Sequence, residues 1–115
     1  PLLALFDQMK KEHYMFTEPV DGHWNGHITR DAVDSFKHPI HVAPDSRLTR
    51  LTGRETILGA SMHNNRITHP AKALTVAGRT DDGTIEALEC GVQMLGVQFH
   101  PEADDQNDAL FRVVL

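Results

Sequence analysis

The apolar positions of this chain fall into short runs separated by turn residues, with no long amphipathic helix to organise them. Ile40–Ala43, Thr56–Ala60, residues 73–79, residues 84–90 and residues 94–99 each read as strands of four to seven residues. Asp81-Asp82-Gly83 between two of these runs is a hairpin signal, because aspartate and glycine tolerate positive φ. Pro44-Asp45-Ser46 reads as a helix start, with Asp45 or Ser46 as N-cap, residues 47–51 as a short helix and Gly53 as its stop. Residues 1–5 are apolar enough for a buried strand, and residues 6–15 suit a helix with Phe6, Met9 and His13 on one face. Residues 17–39, with Pro19, Gly22, Gly26 and Pro39, read as a long irregular loop holding at most a helical turn near 31–36. A final helix is expected over 108–115, capped from 104–107.

At 115 residues the chain is read as a single domain, 1–115, and its 40% hydrophobic content supports a modest core. A net charge of −5 argues against a nucleic-acid or anionic-membrane partner. No apolar run approaches the ~18 residues that suggest a membrane span. The single cysteine excludes an internal disulfide and fits a reducing cytoplasm. Eight histidines raise the question of a metal site. Only His23 and His27 are four apart, and the residues between them do not read as helix, so local spacing gives no metal-ligand pattern and none is expected.

The candidate chemistry lies at the end of the last strand. His100 and Glu102 are two apart, across Pro101, and on an extended chain they share a side. A histidine oriented by a carboxylate is a common general base in nucleophilic catalysis. The same spacing also suits a strand end with a capping histidine and a solvent-facing glutamate.

Gly96-Val97-Gln98-Phe99-His100-Pro101-Glu102 resembles the C-terminal signature of class I glutamine amidotransferase-like proteins, and most closely their gamma-glutamyl-gamma-aminobutyrate hydrolase branch. Arg79–Glu89 looks like that family's hairpin before the histidine strand, and His41–Leu48 like its strand and loop further upstream. The resemblance runs over residues 38 to 112 or so and is poor before that. It implies an α/β, flavodoxin-like domain, present here in part, with a mixed sheet and an antiparallel hairpin. It also implies a Cys–His–Glu triad acting on gamma-glutamyl amides without a cofactor, in which His100 and Glu102 take the last two roles. Ser61 and His63 match the family's Ser-x-His loop beside the cleft and are the candidate substrate-binding residues, whereas Asn64 and Asn65 depart from it.

The nucleophile is the missing part. If residues 1–5 correspond to the family's elbow strand, Phe6 stands at the cysteine's place and Met9 on the helix that follows. The only cysteine, Cys90, lies between a strand and a turn, where little lowers a thiol pKa. The chain therefore looks like the C-terminal half of such a domain, inactive alone. It would be completed by an N-terminal half or be dimeric, so that an open sheet edge is covered. The alternatives are a non-catalytic oligomeric binding module on the same fold, and a metal-binding protein.

Overall fold

The computed structural model describes residues 16–26, 29–91, 94–104, 107 and 109–110. The strand and helix expected over 1–15, and with them Phe6 and Met9, lie outside the described residues, as does most of 108–115.

The described residues hold seven strands, two short α-helices and a 3-10 turn. They are β1 (Phe16–Pro19), α1 (Arg30–Ser35), β2 (Lys37–Val42), α2 (Arg47–Thr52), β3 (Thr56–Ala60), β4 (Asn65–His69), β5 (Thr75–Thr80), β6 (Ile85–Cys90), β7 (Met94–Val97) and the 3-10 turn Pro101–Ala103. Five strands form one sheet in the order β3-β2-β5-β6-β7, and β1 pairs with β4 in a separate ribbon. Every pairing among the described residues is antiparallel. This is a mostly-sheet α/β fold of the expected partial amidotransferase-like kind. No parallel pairing, as the expected mixed sheet would have, occurs among the described residues.

Local chemistry accounts for the elements. Ser46 caps α2 by accepting from the Thr49 amide, and Gly53 closes it in the left-handed region at φ 69°. The β5–β6 hairpin turns at Gly83, φ 84°, with Asp82 Oδ1 accepting from the Thr84 amide at 3.0 Å. Pro39 is tolerated in β2 because pairing with β5 begins only at Ile40.

Ile40, Val42, Leu48, Ile57, Ala77, Ala87 and Phe99 form the buried core, with Leu95, Val97 and Leu110 packed against it. Strand β6 lies between β5 and β7, and its first five residues are all buried. Two of these, Glu86 and Glu89, are carboxylates. Glu89 Oε1 accepts from the Leu48 amide at 2.8 Å, so the strand completes the first turn of α2.

Three expectations need correction. Residues 17–39 are not one irregular loop: they hold most of β1, helix α1 with Thr29 as N-cap, and the start of β2. The segment after Ser61 is not all loop either, since Asn65–His69 pairs with β1. Both strands of that ribbon are largely exposed, so neither carries the inside–outside alternation that marks a strand in sequence. The last strand also stops at Val97, two residues earlier than expected.

Candidate active site

Strand β7 does not simply end. Beyond it the Gln98 amide still donates to the Glu86 carbonyl, at 2.7 Å, and the His100 amide donates to the Ala60 carbonyl at 2.8 Å. The last segment therefore reaches from β6 to β3, the opposite edge of the five-stranded order. Phe99, 2% exposed, fills the space between them. It lies over Gly59, where an added Cβ would come within 2.9 Å of its ring and 2.5 Å of Ile40 Cδ1. This closure places His100 beside the Ala60–Ser61 end of β3.

His100 then precedes the 3-10 turn Pro101–Ala103, which folds Glu102 back toward it. Nδ1 of His100 lies 2.6 Å from Oε1 of Glu102. A carboxylate oxygen only accepts, so Nδ1 donates and, in the neutral ring, Nε2 keeps its lone pair. Partial burial pushes the Glu102 carboxyl up, but the hydrogen bond from His100, its backbone contact and the histidine's charge outweigh this and hold it below its ordinary value. Both side chains are partly open, at 41% and 61% exposure, so the pair can meet a reactant from outside.

Ser61 and His63 sit differently. Met62 between them has φ 48°, unusual for a residue with a side chain, and both its neighbours are buried. Ser61 Oγ donates toward Glu86 Oε1 at 3.2 Å and lies 3.0 Å from His23 Nδ1. His63 Nε2 lies 2.9 Å from Glu86 Oε1, and its Nδ1 donates to the Asn65 carbonyl at 2.8 Å. Their polar atoms are thus committed to an internal network under the strand end.

That network includes Glu86, which the sequence did not single out, and His23, which the sequence raised only for its spacing from His27. His23, 2% exposed, donates from Nε2 to Asp82 Oδ2 at 2.8 Å, and Glu86 is 1% exposed. Partial burial raises the Asp82 carboxyl, but hydrogen bonds from Thr80, His23 and Thr84 together hold it well below its ordinary value. The sequence clue to Glu86 was a carboxylate in a largely apolar strand, which carries a second one in Glu89. The expectation of no metal pattern rested on local spacing, whereas the structure brings His23, His63 and Glu86 together from distant segments.

Cys90 pairs with Met94 at the start of the β6–β7 ladder, whereas His100 lies beyond its other end. Six residues of extended chain correspond to up to ~20 Å. Cys90 and His100 thus lie toward opposite ends of that ladder.

Residues 8–102 match the Peptidase C26 family, a class I glutamine amidotransferase-like family. The chain belongs to that family. Among solved structures it is similar to a GMP synthase subunit from Thermoplasma acidophilum, with 16% identity and a TM-score of 0.63 over 85% of this chain. The match spans 45% of that structure's length. No curated protein matches the sequence significantly. No helix among the described residues is long and apolar enough to cross a membrane.

Proposed function

We propose that this chain contributes the histidine and glutamate of a Cys–His–Glu triad to an enzyme that cleaves gamma-glutamyl amides. The observation that carries this reading is the His100 Nδ1–Glu102 Oε1 contact of 2.6 Å at a partly open strand end. Family membership supports it by supplying a chemistry for such a pair.

The roles follow from the tautomer. Glu102 takes up the Nδ1 proton in a hydrogen bond and leaves Nε2 free to remove the proton of a thiol. The thiolate attacks the gamma-carbonyl carbon, and the imidazolium, steadied by Glu102, returns its proton to the departing amine. Water then repeats the sequence on the thioester, giving the gamma-glutamyl acid and restoring the thiol. The thiol comes from outside the described residues, on a complementing segment or partner chain, since Cys90 is remote. Ser61 and His63 enter as the buried support of the strand end beside the substrate. No cofactor takes part in these steps. A cytoplasmic setting goes with a catalytic thiol that must stay reduced.

The test is complementation. The chain is mixed with a separately expressed N-terminal half of a C26 domain that carries the elbow cysteine. Hydrolysis of glutamine and gamma-glutamyl amides is then followed. Activity that appears with wild type and is lost with His100→Ala is the expected result. Equal activity with both would remove His100 from the reaction and leave a non-catalytic binding module as the better reading.

A further inference from the structure

We propose that His23, His63 and Glu86 form a binding site for one divalent transition-metal ion of the zinc type. One donor atom from each residue lies within 4.8 Å of the other two, and all three residues are buried. They come from the segment after β1, the β3–β4 connection and strand β6, so a shared ion would cross-link three parts of the chain.

The argument rests on where the protons must be. The Asn65 carbonyl, 2.8 Å from His63 Nδ1, can only accept, so that nitrogen carries hydrogen. Asp82 does the same for His23 Nε2 at 2.8 Å. In neutral rings this leaves lone pairs on His63 Nε2 and His23 Nδ1. Both face Glu86 Oε1, at 2.9 and 3.3 Å. Three electron-rich atoms thus converge away from water. Ser61 can give its one hydroxyl proton to His23 Nδ1 or to Glu86, but not to both. A cation is needed among them.

The surroundings favour a metal ion over protons. Ligating imidazoles characteristically donate their second N–H to a carboxylate or backbone carbonyl, and Asp82 and Asn65 provide one of each. Glu86 Oε2 is buried with no hydrogen-bond partner, which is costly for a carboxylate oxygen and natural for one drawn to an ion. Zinc–ligand bonds of roughly 2.0–2.1 Å in a tetrahedron put ligands about 3.3 Å apart. The separations of 2.9 and 3.3 Å from Glu86 Oε1 need little or no change to reach that. The fourth position falls to Ser61 Oγ or a water. A cleft of about 220 Å³ lined by His23, His38, Asp82 and neighbours offers a way in. Two imidazoles and one carboxylate suit zinc and its neighbours better than calcium or magnesium.

The test uses the whole chain, stripped with a chelator and titrated with Co²⁺. The expected result is visible absorption of a tetrahedral nitrogen/oxygen site, saturating at one equivalent and displaced by Zn²⁺. Glu86→Gln and His63→Ala should weaken binding at least 100-fold, whereas His41→Ala and His69→Ala on the surface should not. Because buried variants can fail to fold, zinc-edge X-ray absorption on the wild type provides an independent readout. It should show two imidazoles and an oxygen ligand at tetrahedral distances. The proposal is overturned by a wild type that gives no tetrahedral cobalt spectrum. It is equally overturned by binding that survives Glu86→Gln but disappears in His41→Ala, or by imidazole-free zinc.

Discussion

The amide of His100 donates to the carbonyl of Ala60 at 2.8 Å, joining the segment after β7 to the end of β3. One backbone bond therefore fixes where the candidate base stands. It depends on a close approach just beneath it, between Phe99 and Gly59.

Gly59→Ala tests that approach. The added methyl meets Ile40 Cδ1 at 2.5 Å and the Phe99 ring at 2.9 Å, and both partners are core residues. Overpacking of this kind costs about 1–3 kcal/mol. Urea unfolding should show a lower midpoint with an unchanged slope. An unchanged midpoint would mean that Phe99 does not sit over β3.

Glu89→Ala should destabilise through the helix rather than the strand. The substitution leaves the buried Leu48 amide without its 2.8 Å acceptor. An unpaired buried donor costs about 1–3 kcal/mol. Ser46→Ala at the N-cap of the same helix should cost about 1 kcal/mol. Hydrogen exchange would find the early amides of α2 losing protection first in both variants.

Much of this architecture was legible because it is local. Ser46, Gly53 and the Asp81–Gly83 turn act within a few residues of themselves, and residues 56–60 and 84–90 carry the apolar content of buried strands. His100 and Glu102 were legible as a pair because two positions separate them. The β1–β4 ribbon was not, since exposed strands such as Phe16–Pro19 carry no apolar pattern. The contact of His23 with Ser61, and of His63 with Glu86, joins residues 38 and 23 positions apart. No local period encodes such a meeting. Phe99, read as the continuation of a strand, instead fills the closure of the sheet.

Lys37 gives a pH-dependent prediction. Its ammonium lies 3.0 Å from Asp34 and 3.4 Å from Asp104, which ties α1 to the segment after the 3-10 turn. The hydrogen bond to Asp34 raises its pKa, burial opposes this, and Asp104 adds to the rise, leaving it above the ordinary 10.5. The folded state holds this proton more tightly than the unfolded chain does. The resulting stabilisation is complete below 10.5 and fades as pH climbs through the raised value. Lys37→Met should cost about 1 kcal/mol at neutral pH, and the gap between variant and wild type should close at strongly alkaline pH.

The central claim is that Glu102 holds His100 with Nδ1 protonated and Nε2 bare. Nitrogen-15 NMR of the histidine side chains reads this directly, with His100→Ala identifying the resonance. In its neutral form His100 should show a protonated Nδ1 and an unprotonated Nε2, and Glu102→Ala should shift the ring toward the opposite tautomer. A wild-type His100 protonated on Nε2, indifferent to loss of Glu102, would contradict the account.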